Sequence, residues 1–389
     1  MINETFMLYK RESPSLNLKT KNYHYIKKIF IFIFLLSLFY FISCKIKFSN
    51  RINRRDNKIN LISSKSNLNP NEMKKEFIIN LKNILKNDEL IENEMLDKHT
   101  TFRLGGPARF FSKPKTIEQI KEIILLCNQY NVHYFILGNG SNLLVSDTGY
   151  KGVVIQIHEH NFSKLEVNKQ KDETFLLTVG AGMLMKTLAI ETCLLSLTGL
   201  EDIIDIPGTV GGGIIMNASF KGYGLNIHLK SVKVITSEGK ILELSKTECE
   251  LGRRGSMLKN KRYLVFEATF KLNKGDKMNI QKTLTENTRM RYEKQPMYFG
   301  NAGCFFVWER RLGSQYKIYK ENNLVGYRVG DIMIYTFNIS FIINLGKGTA
   351  EDVMKVVNKV ERVIKEKYNI VIRREVVIIG IIKGVEYYF

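Results

Sequence analysis

Apolar residues recur at helical spacing over residues 74–86, where Phe77, Ile78, Leu81, Ile84 and Leu85 share one side, so this segment reads as an amphipathic helix. Residues 116–130 repeat the pattern, opening at Thr116 with Glu118 near the first turn. Strand-like apolar runs follow at 132–137, 152–157, 175–179 and 232–236. Ser237, Glu238, Gly239 and Lys240 mark a hairpin turn between 232–235 and 241–244. A helix over 183–197 is expected to stop at Gly199, because glycine readily takes the left-handed conformation that ends helices. Residues 264–272 read as a strand, and 278–291 as a helix that crosses into a new segment. The strongest period lies at 350–368, where Val353, Val356, Val357, Val360 and Val363 line one face. Strand-like runs at 340–344 and 376–382 flank it. Helices and strands mix without strict alternation and no internal repeat occurs. The pattern therefore predicts an α+β fold rather than a doubly wound dinucleotide fold.

The N-terminal pattern differs. Residues 29–44 form one apolar run behind Lys27 and Lys28. It falls short of the roughly 20 residues that span a bilayer, and its length and basic flank fit a signal-peptide core. A single membrane anchor formed by residues 29–44 is the alternative. Residues 45–70 are basic, rich in Ser and Asn, and hold one acid, Asp56, as transit peptides do. The two parts together resemble the leaders of proteins sent to plastids of secondary origin. The expected destination is an organelle, plastid-type, reached through the secretory route. Residues 1–75 are expected to be a leader, disordered or removed.

Composition narrows the function. The chain has 389 residues, enough for two or three domains, and its 44% hydrophobic content excludes disorder throughout. A net charge of +21 favours anionic partners: nucleic acid, acidic lipid or a nucleotide. A Lys-, Asn- and Ile-rich bias with a basic leader explains the same number. No nucleic-acid module and no alternation of basic and aromatic residues occurs, so no nucleic-acid partner is expected. The five cysteines, Cys44, Cys127, Cys193, Cys249 and Cys304, are scattered and contain no CxxC pair. Neither a disulfide framework nor a zinc site is expected, and the thiols should be reduced. His158 and His160 would share a strand face, but no third ligand accompanies them, so no metal is assigned.

Two glycine-rich turns follow apolar runs. Gly138, Asn139, Gly140, Ser141, Asn142 and Leu143 form the first. Pro207, Gly208, Thr209, Val210, Gly211, Gly212 and Gly213 form the second, with Asn217 soon after. Glycine lacks Cβ, so backbone N–H groups can approach an anion closely. Ser141 and Asn142 add side-chain donors. The turns predict a large phosphate-bearing ligand held at two places; plain tight turns are the other reading. Neither is a GxGxxG opening a helix, and neither is a Walker A loop. Three isolated residues, Arg254, Cys304 and Glu375, supply a fixed cation, an acid with a transferable proton and a carboxylate. That set suits reduction of a polarised double bond. Each has a plainer reading: a surface cation, a small buried thiol, and a carboxylate paired with Arg373 or Arg374.

The ordered motifs resemble the UDP-N-acetylenolpyruvoylglucosamine reductase (MurB) family, flavoenzymes of peptidoglycan precursor synthesis. His99, Thr100, Thr101, Phe102, Arg103, Leu104, Gly105, Gly106, Pro107 and Ala108 look like its leading motif. Residues 137–147, which contain the first glycine turn, look like its flavin pyrophosphate loop, and Gly199, Leu200 and Glu201 with residues 206–217 like its second flavin segment. Residues 251–256 align with its Tyr-Arg-x-Ser motif, Ala302, Gly303, Cys304, Phe305 and Phe306 with its Ala-Gly-Ser/Cys-x-Phe motif, and residues 375–380 with its C-terminal Glu-Val-x-Ile-Ile-Gly. Arg254 and Cys304 lie 50 residues apart, the spacing of the family's shorter form.

The resemblance implies a two-subdomain FAD-binding domain of the PCMH, vanillyl-alcohol-oxidase-like kind over 76–272, and a C-terminal α+β substrate-binding domain over 273–389. It implies non-covalent FAD, NADPH as co-substrate, and a UDP-sugar enolpyruvyl ether as substrate, in a monomer. Hydride would go to the enolpyruvyl group, Cys304 would give the proton, Arg254 would hold the developing negative charge, and Glu375 would orient or polarise that group or assist proton delivery. A flavin enzyme of the same fold with another substrate, or a non-catalytic flavin-binding remnant, are the alternatives. Three stretches depart from the family. Val307, Trp308 and Glu309 replace Lys-Asn-Pro, Arg253 replaces a Tyr, and residues 335–340 replace Ser-Glu-Lys-His-Ala-Asn. Trp308 and Arg310 are expected to restore the lost substrate contacts by stacking and charge.

Overall fold

In a computed structural model, residues 70–86, 88–382 and 384–387 are described. Of the predicted leader, residues 1–75, residues 1–69 with the apolar run and Cys44 lie outside them, whereas residues 70–75 are helical rather than disordered. The chain divides between Glu72 and Met73, within the first turn of the first helix, and the sheets and the remaining helices belong to the part that begins at Met73.

The first helix, α1 (Pro70–Ile84), starts ahead of the predicted segment and buries Phe77 and Leu81. It packs with α2 (Ile117–Gln129) on a sheet built from β1 (Leu90–Met95), β2 (Pro107–Ser112), β3 (Tyr134–Leu137) and β5 (Tyr150–Gln156). The strand order is β1-β2-β5-β3, with β2, β5 and β3 parallel. The predicted start of α2 holds because Thr116 and Gln119 cap each other: the Thr hydroxyl accepts from Gln119 N–H, and the Gln119 amide oxygen accepts from Thr116 N–H. Both faces of β5 are covered. Val153 and Ile155 join the cluster under the helices, while Val154 faces the opposite cluster with Leu137, Leu143 and Ile379. Alternation along a strand sorts neighbouring residues into two cores in this way. β5 ends at Gln156, so His158 and His160 lie in the following turn, rings 5.5 Å apart, and not on a strand face as the sequence suggested.

A second, antiparallel sheet holds β6 (Leu165–Lys169), β7 (Phe175–Gly180), β11 (Leu229–Ile235), β12 (Ile241–Ser245) and β13 (Leu264–Lys274) in the order β12-β11-β13-β7-β6. The short strand β8 (Leu197–Thr198) pairs with the end of β13. β9 (Ser219–Phe220) and β10 (Tyr223–Gly224) form a small separate hairpin. Two helices, α3 (Met185–Leu194) and α4 (Val210–Ile215), share the core of this sheet. The predicted helix over 183–197 is shorter than expected. Ser196, at φ 54, takes the left-handed position, because Leu197 and Thr198 are drawn into the ladder with β13. Gly199 is needed for another reason: a Cβ there would sit 2.8 Å from the His228 ring.

The short helix α5 (Met257–Asn260) precedes β13, and α6 (Lys277–Lys294) leads into a third sheet of β14 (Gly300–Cys304), β16 (Arg328–Val329), β17 (Ile332–Ile334) and β18 (Phe341–Asn344), ordered β14-β18-β17-β16. β15 (Phe306–Val307) pairs with β19 (Arg373–Arg374), and α7 (Gln315–Glu321) lies between β15 and β16. The helix α8 (Ala350–Tyr368) matches the predicted span and buries the predicted valines against this sheet. The last strands are β20 (Val377–Ile382) and β21 (Val385–Tyr387). β20 pairs in parallel with β4 (Leu143–Val145), the strand that leaves the first glycine turn. A second tie reinforces this one: the Asp147 carboxylate accepts from Ala350 N–H at 2.8 Å and from Glu351 N–H at 3.1 Å, at the start of α8. A carboxylate facing the free N–H groups of a helix start stabilises it. Asp147→Ala should lower unfolding free energy by about 1 kcal/mol; an unchanged urea midpoint would show that this tie contributes nothing.

Candidate functional site

A cavity of about 750 Å³ opens where the three sheets meet. Both glycine turns line it: Gly138, Asn139, Gly140, Ser141, Asn142 and Leu143 from the first, and Pro207, Gly208, Thr209, Gly211 and Gly212 from the second. They form one wall rather than two separate holds. The Ser141 hydroxyl donates to the Pro207 carbonyl at 2.8 Å, and a Cβ on Gly138 would sit 2.6 Å from Thr209 Oγ1. Gly140 is at φ 60, and a Cβ there would lie 2.1 Å from the His99 carbonyl oxygen, so no other residue fits. Thr209 caps α4, its hydroxyl accepting from Gly212 N–H. The side-chain donors expected to meet a ligand are largely engaged within the protein, because Asn142 Nδ2 donates to the Glu375 carbonyl at 3.1 Å. What remains are backbone donors: the N–H groups of Asn139, Gly140 and Ser141 have no protein acceptor among the described residues. Asn217 does not line the cavity. At φ 45 it donates through Nδ2 to the Gly252 carbonyl at 2.7 Å and so steadies the loop that carries Arg254.

Arg254 sits at the tip of that loop at φ 58, a left-handed conformation that costs a non-glycine residue about 1–3 kcal/mol. Neighbouring bonds fix it. Gly252 and Gly255 bridge, and the Ser256 hydroxyl donates to the Ile215 carbonyl at 2.8 Å. The Arg254 guanidinium is gripped on two sides: Nε faces Glu375 Oε1 at 3.0 Å, and both terminal nitrogens donate to the Ser219 carbonyl at 3.2 Å. Glu375 therefore pairs with Arg254 and not with its sequence neighbours. Arg374 is bound to Glu361 at 2.6 and 2.8 Å, and Arg373 donates to the Arg253 carbonyl at 2.8 Å. Burial raises the Glu375 carboxyl above the usual range, and Arg254, Arg373, Arg253 and Lys259 oppose that rise.

Cys304 reaches the same cavity through a bulge. Asn301 pairs with Ile343 and Cys304 with Phe341, which leaves Ala302 and Gly303 opposite one residue of β18. Gly303 at φ 78 makes the turn, and its N–H donates to Asn301 Oδ1 at 3.0 Å. Such a bulge re-aims the next side chain. The leading motif holds the bulge in place: the Thr101 hydroxyl donates to the Asn301 carbonyl at 2.7 Å, and Asn301 N–H donates to the Thr101 carbonyl at 3.1 Å. The thiol is pushed up to about 11, by burial first and by the Glu375 carboxylate second, while Arg254, Ser340 and Arg291 restrain it. At neutral pH it is a protonated donor.

Arg254, Cys304 and Glu375 thus line one cavity. Sequence reasoning missed other members. The lining holds six cations, Arg103, Lys221, Arg254, Lys259, Arg262 and Arg291, against one carboxylate, Glu375, among the described residues. The site is therefore suited to ligands with several negative charges. Arg291 was visible in the pattern, since it falls on the buried stripe of α6 with Ile280, Leu284 and Asn287. Trp308 and Arg310 do not line the cavity. The Trp308 indole donates to the Gly313 carbonyl at 2.8 Å instead, because its ring packs on Tyr319. Asn338 and Ser340, from the substituted stretch 335–340, do line it. The cationic lining, the unpaired backbone donors and the cradle closed by glycines together fit a dinucleotide diphosphate such as that of FAD. No group of three or more His, Cys, Asp or Glu that could hold a metal occurs among the described residues.

Residues 108–245 match the profile of an FAD binding domain, and residues 295–379 that of the C-terminal domain of UDP-N-acetylenolpyruvoylglucosamine reductase. The reductase of that name from Lachnoclostridium phytofermentans is 40% identical over 300 residues, covering 77% of this chain and 96% of the relative. The Clostridium novyi enzyme is 37% identical over 300 residues, covering 77% and 95%. The crystal structure of the Thermus caldophilus reductase superposes with a TM-score of 0.61 at 32% identity, covering 75% of this chain and 98% of that one. These bacterial relatives overturn the expected plastid-type organelle and its secretory route. Among the described residues no helix is long and apolar enough to cross a membrane, and residues 29–44 lie outside them.

The electrostatics of Cys304 can be measured directly. Alkylation by iodoacetamide follows the thiolate fraction, so at about pH 9 the wild-type thiol should react slowly and accelerate with rising pH. Glu375→Gln removes a charge that disfavours the thiolate, so Cys304 should then react several-fold faster at the same pH. Equal or slower labelling of the variant, read by mass spectrometry, would contradict the assigned coupling.

Proposed function

This chain belongs to the UDP-N-acetylenolpyruvoylglucosamine reductase family, and on that premise we propose that Arg254, Cys304 and Glu375 carry its reaction. The protein is an FAD-dependent oxidoreductase that uses NADPH to reduce UDP-N-acetylglucosamine enolpyruvate to UDP-N-acetylmuramate. The observation that carries the assignment of residues is the Arg254–Glu375 ion pair at 3.0 Å, in a cavity that Cys304 also lines.

The chemistry that FAD supplies when bound is hydride transfer, taken from NADPH and given to the terminal carbon of the enolpyruvyl double bond. Negative charge then develops at the carbon bearing the carboxylate and on the carboxylate itself. Arg254 stabilises that charge with a guanidinium already oriented, so little reorganisation is needed when the charge appears. Glu375 holds the guanidinium through Nε and keeps it from turning away. Cys304 Sγ gives the proton that completes the reduction. Its raised pKa keeps the acid form present at neutral pH, and the arginines and Ser340 limit the cost of the thiolate left behind. The backbone N–H groups of Asn139, Gly140 and Ser141 would hold the diphosphate of the cofactor. Gly208, Gly211 and Gly212 shape the opposite part of that wall, with Thr209 and Pro207 fixing its form. All three side chains come from one chain, so this set needs no residue from a second copy.

Single-turnover experiments separate the two half-reactions. In Cys304→Ala, anaerobic reduction of FAD by NADPH should proceed at the wild-type rate. Reoxidation by the enolpyruvyl substrate should fall by about 10²-fold or more. Normal turnover of Cys304→Ala would remove the thiol from the mechanism. Arg254→Lys keeps a charge but loses the planar fork, and kcat should drop by about 10²-fold with FAD content unchanged.

A further inference from the structure

Helix α6 buries Ile280, Leu284, Asn287 and Arg291 on one stripe. Two of these four are polar, which is unusual for a buried helix face. Asn287 is accounted for, because its Nδ2 donates to Asp202 at 2.9 Å. Arg291 is not. It is only 4% exposed, its Nε has no hydrogen-bond partner, and among the described residues no carboxylate lies within ion-pair distance of it. The carboxylate whose charge acts on it, Asp205, is held by Lys186 at 2.9 Å and by Thr288 at 2.7 Å. The guanidinium lies 4.8 Å from the centroid of the Phe220 ring, which supports it from one side. Burial lowers its pKa to about 10, so it stays charged at neutral pH.

A buried cation without a partner destabilises the protein alone, and a bound anion removes that cost. Two observations place the anion. Arg291 lines the cavity and interacts electrostatically with Cys304, so it sits toward the reacting end. Phe220, on which it rests, follows Ser219, whose carbonyl holds Arg254. The two guanidiniums therefore meet the same hairpin, but in different states. Arg254 has Nε and both terminal nitrogens engaged by protein, whereas Arg291 has a buried nitrogen that no protein group meets.

We propose that Arg291 is a further binding residue of the reaction, one that takes a planar delocalised anion into its guanidinium fork at the end of the cavity shared with Cys304. The fork suits such an anion better than an ammonium does. Given the reaction proposed above, on which this inference rests for its ligands, two groups have that chemistry. One is the carboxylate of the enolpyruvyl ether, retained in the product. The other is the pyrimidine edge of the reduced flavin.

The test uses the FAD-bound full chain and two variants. Arg291→Met keeps an apolar stem against Phe220 and loses the charge; Arg291→Lys keeps the charge and loses the fork. The dissociation constant of UDP-N-acetylmuramate is read from the flavin absorbance, with UDP-N-acetylglucosamine, which lacks the carboxylate, as control. The two-electron midpoint potential of bound FAD is measured in parallel. If the carboxylate is the anion, Arg291→Met weakens UDP-N-acetylmuramate at least tenfold and leaves the control compound and the potential unchanged. If the reduced flavin is the anion, its stability falls about tenfold, a potential about 30 mV lower. Arg291→Lys should recover part of either loss. Arg291→Met with wild-type FAD content and less than a twofold change in both quantities overturns the proposal. Should that variant fail to hold FAD, Arg291→Lys decides: a threefold change in either quantity supports the role, and none overturns it. A wild-type protein that binds neither UDP compound would instead defeat the reading of the substrate, and the potential would then decide Arg291 alone.

Discussion

The parallel pairing of β4 with β20 is the constraint on which the site depends. It places Val377, Ile378 and Ile379 beside Leu143, Leu144 and Val145. The first glycine turn and the C-terminal carboxylate thereby become neighbours. Asn142 joins residues 233 positions apart when its side chain meets the Glu375 carbonyl, and its own carbonyl accepts from Val377 N–H. Closing so long a loop costs entropy, which burial of Leu144, Val145 and Ile379 offsets. Without this ladder Glu375 would have no fixed position, and Arg254 would lose the group that orients it.

Electrostatics then set the character of the cavity. Six cations face one carboxylate, so the lining attracts polyanions while Glu375 is held in place by the charges around it. The same carboxylate raises the Cys304 thiol, and the arginines lower it, so the thiol is balanced between opposing charges. Arg254 is central to both effects. Its left-handed backbone is a local cost, and the bonds from Asn217 and Ser256 to and from the end of α4 hold it there. The second glycine segment therefore serves both walls: it closes on the first turn through Thr209, and it anchors the loop that presents the guanidinium.

Departures from the family pattern fall on one side of the site. The stretch 335–340 differs in sequence yet still contributes Asn338 and Ser340 to the lining, while Trp308 turns to Tyr319 and Gly313 and leaves the cavity. Phe337 is 87% exposed, so the substituted stretch presents an aromatic side chain to solvent rather than filling a core. The wall at the glycine turns is closely packed, with Gly138 against Thr209 and Ser141 bonded to Pro207.

Much was legible in the sequence. The valine period gave α8 its span, the Thr116 start gave α2 its cap, and the small residues at 138–142 and 207–213 marked a wall of the cavity, because local periodicity, capping and steric freedom depend on neighbours in the chain. The motif order also carried the family and its flavin. Other features depended on contacts between distant segments. Sequence alone left Glu375 free to pair with Arg373 or Arg374, treated Ser141 and Asn142 as ligand donors, placed Asn217 at the cofactor, and passed over Arg291. Each of these depends on which remote group arrives first at hydrogen-bond distance, and only the packed sheets decide that. A side chain's chemistry is written in its residue type, but its partner is chosen by the tertiary fold.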